Sequence, residues 1–286
     1  MPENSLAAHV RAAAQRLAEA GVPDPLVDAE LLAGHVLGHR RGEVQAAVIR
    51  GDGLTDEHAA ELDLLVTRRS AREPLQHITG TAPFRHLELA VGPGVFVPRP
   101  ETETVAQYAI DALLTAPDAA PIGVDLGTGS GAIALAMATE VPHARIFAAE
   151  LSPDAHVWAS RNTAGVENLT LMLSDLADAF PELDGTASVV ISNPPYVPDD
   201  AIPRDPEVRL FDPAMALYGG EDGLDVVRTL SSRALRLLRP GGLLVIEHGE
   251  LQGAAIRELL TADGWRATAT HRDLTLRDRA TTALRP

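Results

Sequence analysis

The sequence contains no cysteine and no lysine, and only 3% of its 286 residues are aromatic. Without cysteine there can be no disulfide, no thiolate metal ligand and no cysteine nucleophile. With so few aromatics, an apolar content of 45% has to pack as Ala, Leu, Val and Ile. All 24 cationic residues are Arg, which together with the abundant Ala reads as genomic bias and not as a functional device. No stretch approaches the roughly 18 apolar residues of a membrane span. The first residues lack the basic-then-apolar pattern of a secretory signal. A cytoplasmic protein with no membrane partner and no metal is the expectation.

Negative charge is in excess. Formal net charge is −16. Residues 1–100 hold 13 acids and 10 Arg, a net of −3, whereas residues 101–286 hold 27 acids and 14 Arg, a net of −13. A field of that sign repels a polyanion, so no direct nucleic-acid substrate is expected for the second part.

Residues 1–77 read as a small helical domain. Leu6, Val10, Ala14 and Leu17 recur at helical spacing,. Asp24-Pro25 resembles an N-cap followed by proline at the first helical position, ahead of Leu31, Leu32 and Val36,. Thr55 opens a third helix through Leu62, Leu65 and Val66, with Arg68, Arg69 and Arg72 in its last turn, where positive charge suits the dipole,. Residues 78–100 read as a β-hairpin linker, with Gly92-Pro93-Gly94 as the turn and Val95-Phe96-Val97 on the second strand,.

From residue 101 to 286 strands alternate with helices, which argues a parallel α/β sheet of Rossmann-like class. Strands are expected at Ile122–Leu126, Arg145–Ala149, Leu169–Leu173, Ser188–Ser192 and Leu243–Glu247. Helices are expected at Gly131–Glu140, from Ser152-Pro153, at Leu224–Leu238 with a stop at Pro240-Gly241-Gly242, and at Gly253–Leu260. Two last strands at 265–271 and 274–284 close the chain. Val197–Gly223 shows no periodicity, and a loop of that length inside a domain is usually functional,.

Asp125-Leu126-Gly127-Thr128-Gly129-Ser130-Gly131 follows a strand and opens a helix. Glycine lets the backbone turn sharply and approach a ligand. Glu150 ends the next strand, where a carboxylate can accept from ribose hydroxyls, and Asp175 follows the third strand at the adenine end,. This pattern indicates a nucleotide, and by itself leaves a nicotinamide dinucleotide as a competitor.

Asn193-Pro194-Pro195-Tyr196 stands at the C-terminal end of the strand Val189–Ser192, the edge at which open α/β sheets bind ligands. Two prolines stiffen the loop and remove two donors. The Asn193 oxygen and the Pro194 carbonyl can each accept one N–H of a planar NH₂ group, with Tyr196 against its flat face. That grip favours a tetrahedral nitrogen whose lone pair can attack a sulfonium methyl. Orientation and charge stabilisation then supply the rate.

At these residues the chain resembles the bacterial peptide chain release factor glutamine N5-methyltransferases, the HemK or PrmC family. The resemblance runs through Glu73–Gly80, Phe96–Glu103, Asp125–Gly131, Ser192–Tyr196, Ala216-Leu217, Gly219–Leu224, Glu247–Gly249, Arg272-Asp273 and Arg277–Arg279. It implies a class I methyltransferase domain and S-adenosyl-L-methionine as cofactor, with S-adenosyl-L-homocysteine as product. It implies class I peptide chain release factors as partners, methylated on the glutamine of their Gly-Gly-Gln motif. By the same resemblance Asp125, Gly127, Thr128, Gly129, Ser130, Gly131, Glu150, Asp175, Leu176 and Asn193 would bind the cofactor. Asn193, Pro194, Pro195 and Tyr196 would hold the glutamine amide, with Phe96 over it. Glu150 replaces a common Asp, and Leu176 an aromatic found in some members.

Other functions compete. A ribosomal-protein glutamine methyltransferase would share the catalytic motifs. A nucleic-acid amino-methyltransferase shares Asn-Pro-Pro-Tyr but conflicts with the acidic balance. A non-catalytic cofactor-binding regulator conflicts with an intact Asn193 loop. His35 and His39 lack a third ligand. Glu247-His248 could orient the catalytic loop or serve only structure. Arg99 is expected to anchor the linker by a bidentate ion pair.

Overall fold

The computed structural model describes residues 5–286. They divide into two compact units. Unit 1 is the N-terminal part through Gly80 together with Arg204–Phe211, and unit 2 is Thr81–Pro203 with Asp212–Pro286.

Unit 1 has five helices before Gly80, α1 (Leu6–Glu19), α2 (Pro25–Leu37), α3 (Arg41–Arg50), α4 (Asp56–Ser70) and α5 (Leu75–Thr79). Their core is aliphatic, with Leu6, Val10, Leu17, Leu32, Val44 and Val66 almost fully buried. Ser5 caps α1 and Thr55 caps α4 through side-chain oxygens,. Pro25 does start α2, but the Asp24 side chain makes no capping bond. Residues 78–80, read as strand from sequence, instead finish α5, which ends at Gly80 in the left-handed conformation.

The segment Arg204–Phe211 was not expected in this unit. Its Glu207 accepts from Arg69 Nη1 at 2.7 Å and from Arg72 Nη2 at 2.6 Å, and Arg69 Nε also holds Asp28 at 2.7 Å. Burial pushes the Glu207 carboxyl up, but the donors around it, Arg72 foremost, hold it well below the usual carboxylate range,. Arg69 and Arg72, read from sequence as dipole complements, are therefore partners of a buried anion.

Unit 2 opens with the hairpin β1 (Thr81–Phe84) and β2 (Leu87–Ala90), followed by α6 (Pro100–Thr115). The hairpin turns at Arg85-His86 and not at Gly92–Gly94. Arg85 takes positive φ, its N–H is held by Glu103 at 2.9 Å, and its guanidinium bonds Glu140. Val95–Val97 is not a strand, yet it alternates: Val95 and Val97 enter the core and Phe96 faces the opposite way.

The remaining elements are β3 (Ile122–Leu126), α7 (Ala132–Glu140), β4 (Arg145–Glu150), α8 (Pro153–Asn162), β5 (Leu169–Leu173), β6 (Ala187–Ser192), α9 (Pro206–Phe211, within unit 1), α10 (Ala214–Leu217), α11 (Asp225–Leu237), β7 (Leu238–Glu247), α12 (Gly253–Ala262), β8 (Arg266–Arg272) and β9 (Asp278–Leu284). A seven-stranded sheet has the order β5-β4-β3-β6-β7-β9-β8, parallel except for β9. The sequence misses α6, α3 and the two short helices of the 197–223 loop. It also ends α11 too late, since β7 begins at Leu238 and runs through Pro240-Gly241-Gly242.

Both faces of the sheet are covered. Along β6, Val189 and Ile191 enter the cluster that contains α6 and α7, and Val190 enters the cluster under α11 and α12. All six residues of β6 are buried, which explains a near-continuous apolar run. The chain reverses its direction of travel across the sheet between β3 and β6, which places the switch point beside Asp125 and Asn193,.

Candidate active site

The C-terminal ends of β3, β4, β5 and β6 border a cavity of about 500 Å³, all of whose lining residues belong to unit 2. Gly127, Thr128, Gly129 and Ser130 form one wall. Gly127 and Gly129 have φ of +77° and +58°, and a β-carbon on either would meet nothing within 4 Å. Their backbones therefore take a conformation that suits glycine and face open space, as a cradle for a ligand requires. Gly131 differs. It caps α7 at φ +84° and packs on Thr163 and Ala159 of the α8 region, outside the lining.

Asp125 lies behind this loop and is fully buried. Its Oδ2 accepts from Thr128 Oγ1 at 2.5 Å and from the Ala134 N–H at 3.1 Å, while Oδ1 has no partner. Burial pushes its carboxyl up to about 7, against the pull of Thr128 and Ala134,. Asp125 thus shapes the loop from behind, and it does not line the cavity.

Glu150 does line the cavity. Its Oε2 accepts from the Gly129 N–H and its Oε1 from the Ser152 N–H, each at 2.8 Å. Each oxygen keeps a second lone pair, so a diol can still be accepted. Burial raises this carboxyl, and the backbone donors counter it. Asp175 and Leu176 stand on the same rim. Asn162 ties the wall to the hairpin, with Nδ2 donating to the carbonyls of Ser130 at 2.9 Å and Ala90 at 3.0 Å. Nothing in the sequence marked that residue.

Of the Asn-Pro-Pro-Tyr loop, Asn193 and Pro195 line the cavity, whereas Pro194 is buried and the Tyr196 side chain is outside the lining. Asn193 Nδ2 donates to Thr102 Oγ1 at 3.4 Å. Burial pushes the Tyr196 phenol up to about 12, so it stays neutral. Phe96, half-buried, forms a wall with Pro98, and the Arg99 guanidinium stacks over its ring at 5.0 Å,. Arg99 Nη2 also meets Asp212 Oδ2 at 2.8 Å; this anchor uses one nitrogen, where the sequence suggested a fork.

The match to known proteins covers both units. The PrmC N-terminal domain model matches residues 9–80, and the methyltransferase small domain model matches residues 87–218. The release factor glutamine methyltransferase of Streptomyces coelicolor is 51% identical over 98% of each chain. The chain belongs to the release factor glutamine methyltransferase family. The Bifidobacterium longum member is 44% identical over 94% of this chain and 96% of its own. A 4-amino-L-phenylalanine/4-methylamino-L-phenylalanine methyltransferase of Streptomyces pristinaespiralis is 43% identical over 77% of this chain and 76% of its own. Among solved structures, a methyltransferase from Pyrococcus furiosus has a TM-score of 0.50 at 20% identity, over 70% of this chain and 89% of that one, a likeness of fold alone.

The remaining motifs have structural roles. The Gly219–Gly223 segment approaches the Asn-Pro-Pro-Tyr backbone closely. A β-carbon at Gly219 would stand 2.5 Å from the Pro195 carbonyl oxygen, and one at Gly223 would overlap the Tyr196 carbonyl. Val197 N–H donates to Leu217 O at 2.8 Å and Gly219 N–H to Val197 O at 2.9 Å. The chain after α9 also supplies the far wall of the cavity, with Pro213, Met215, Ala216 and Tyr218. The Arg272-to-Arg279 motif is a turn clamp. Asp273 accepts from the Thr275 hydroxyl at 2.6 Å and the Thr275 and Arg277 N–H groups, and faces Arg279.

The cradle, the Glu150 carboxylate and the apolar rim fit a nucleoside carrying a sulfonium and no phosphate. Among the described residues no helix is long and apolar enough to cross a membrane.

Proposed function

We propose that the chain transfers a methyl group from S-adenosyl-L-methionine to the side-chain amide nitrogen, N5, of the glutamine in the Gly-Gly-Gln motif of class I peptide chain release factors, in the cytoplasm, in translation termination. The observation that carries this reading is the 51% identity, over 98% of each chain, to a release factor glutamine methyltransferase.

When bound, the cofactor supplies an electrophilic methyl on a sulfonium. Gly127 through Ser130 and Glu150 would hold it, with Asp175 and Leu176 at the adenine end and Gly131 and Asp125 setting the loop. Asn193 would sit at the meeting point of the two substrates. Its Oδ1 and the Pro194 carbonyl accept the two hydrogens of the glutamine amide, and Pro195 and Phe96, which line the cavity, restrict where that amide can lie, with Tyr196 holding the loop from outside the lining. An amide nitrogen shares its lone pair with its carbonyl, so two acceptors that favour a tetrahedral nitrogen stabilise the transition state more than the ground state. The acceptors also stabilise the positive charge that develops as the methyl arrives. No strong base is required, because the methylated nitrogen is acidic and loses its proton to water.

Radiolabelled cofactor tests the reading. Label should enter a class I release factor and disappear when its Gly-Gly-Gln glutamine is replaced by alanine. Label on free 4-amino-L-phenylalanine alone would favour the aryl-amine chemistry of the 43%-identical relative. Label on DNA or ribosomal protein alone would refute the assignment.

A further inference from the structure

An asparagine side chain has two ends of nearly equal size, and only the oxygen can accept from a substrate NH₂ group. An Asn193 turned end for end would present donors to donors. The proposed chemistry therefore depends on a group that selects the orientation, and the structure contains one.

β6 and β7 pair in parallel with Ser192 opposite Ile246. The next residues, Asn193 and Glu247, consequently leave neighbouring strands side by side. Glu247 is only 2% exposed, and its Oε2 has no hydrogen-bond partner. Thr102, in the first turn of α6 and 4% exposed, accepts from Asn193 Nδ2. The Thr102 and Asn193 side chains both favour the Glu247 anion, against the burial that disfavours it.

An ionised carboxylate can only accept, and a threonine hydroxyl has one proton to give. A proton directed by Thr102 toward the Glu247 anion, which its side chain favours, leaves the Thr102 oxygen to accept from the Asn193 NH₂, as it does at 3.4 Å. The order Asn193 to Thr102 to Glu247 leaves Asn193 Oδ1 for the cavity. We propose that Glu247 is a positioning residue which, beside Asn193 and through Thr102, sets the polarity of the Asn193 amide and so makes it an acceptor for the substrate. Resting on the substrate reading above, this assigns a role to a carboxylate that touches neither substrate.

The groups around Glu247 fit that role. Arg279 from β9 favours its anion, Glu101 from α6 opposes it, and Tyr196 lies close enough to feel its charge. Burial pushes Glu247 up to about 7, so the anion gains as pH rises through neutrality. Once protonated, Glu247 can itself donate to Thr102, and the order of donors is lost.

The test uses the full chain with S-adenosyl-L-methionine and a release factor, comparing E247Q, T102V and T102S. The Gln keeps the volume but can donate at any pH, where the ionised Glu247 can only accept. The expected result is a kcat roughly 10- to 100-fold lower in E247Q and T102V, the range a misoriented catalytic group produces. Cofactor affinity stays within about 3-fold, T102S restores most of kcat, and the acid limb of kcat near neutrality is absent in E247Q. An E247Q with the parent kcat and pH profile overturns the inference. So does loss of kcat together with cofactor affinity in both E247Q and T102S, which marks a merely structural carboxylate. A parent protein that leaves the release factor unlabelled refutes the substrate reading itself, whereas a labelled parent with an indifferent E247Q refutes only the role of Glu247.

Discussion

Gly223 packs so tightly on the Tyr196 carbonyl that no other residue could occupy its place without moving the Asn193–Tyr196 loop. It also has φ of +74°, a left-handed conformation that costs an alanine about 1–2 kcal/mol,. Gly223→Ala should shift the Asn193–Tyr196 backbone and lower kcat by roughly 100-fold, as ångström-scale misplacement does. Cofactor affinity should change little, because the glycine cradle is on a different strand end. Single-turnover methylation alongside calorimetric cofactor binding checks both halves.

Asn193→Ala removes one of two proposed acceptors without touching the cradle. Turnover should fall at least roughly 100-fold, in line with loss of one group that stabilises developing charge. Cofactor affinity should stay within a few-fold. Equal loss of both would show that the loop mainly holds the structure.

Asp125 makes a prediction about pH. Burial raises its carboxyl to about 7 in the folded chain, against about 3.9 for an unperturbed Asp. The folded state therefore holds the proton more tightly than the unfolded state. Its contribution to stability is full below about pH 4 and is lost as pH rises through about 7. Asp125→Asn should remove this loss, so the melting temperature of the variant relative to the parent should rise between pH 5 and pH 8. A constant difference across that range would refute the assignment.

Glu207 has the opposite sign. Its carboxyl is held well below the ordinary range, chiefly by Arg72 once burial is overcome. The stabilisation is present above about pH 4.3 and is lost as pH falls below it. Glu207→Ala leaves Arg69, 7% exposed, without one of its anions. Breaking a buried pair in this way costs about 3 kcal/mol. Hydrogen exchange in residues 6–79 should speed up accordingly, with little change in the sheet of unit 2.

Much of the fold is legible because its signals are local. Five of the six parallel strands are short apolar runs bounded by turns, and Ser152-Pro153 and Thr55 are caps readable within four residues. The hairpin turn was missed because Arg85 holds positive φ through tertiary contacts with Glu103 and Glu140 and not through a turn residue. The helix Pro206–Phe211 was missed because it is six residues long and depends on Arg69 and Arg72, some 135 residues away in sequence. Within the site, Asn162 carries no local signature, and Glu247 stands in a family motif whose partner is brought near only by the sheet.

By itself the sequence determined the family and the chemistry it implies. A glycine loop after a strand and Asn-Pro-Pro-Tyr after another require particular residues at particular spacings, and spacing is a property of the chain. The tertiary structure decided which of those residues face the cavity. It set Gly127 and Gly129 on the wall and Gly131 in a helix contact, and Asn193 and Pro195 on the wall with Pro194 and the Tyr196 side chain off it. It also decided what stands behind Asn193, because the register of β6 against β7 places Glu247 beside it. Register is set by the packing of whole strands, and no local run of residues contains it.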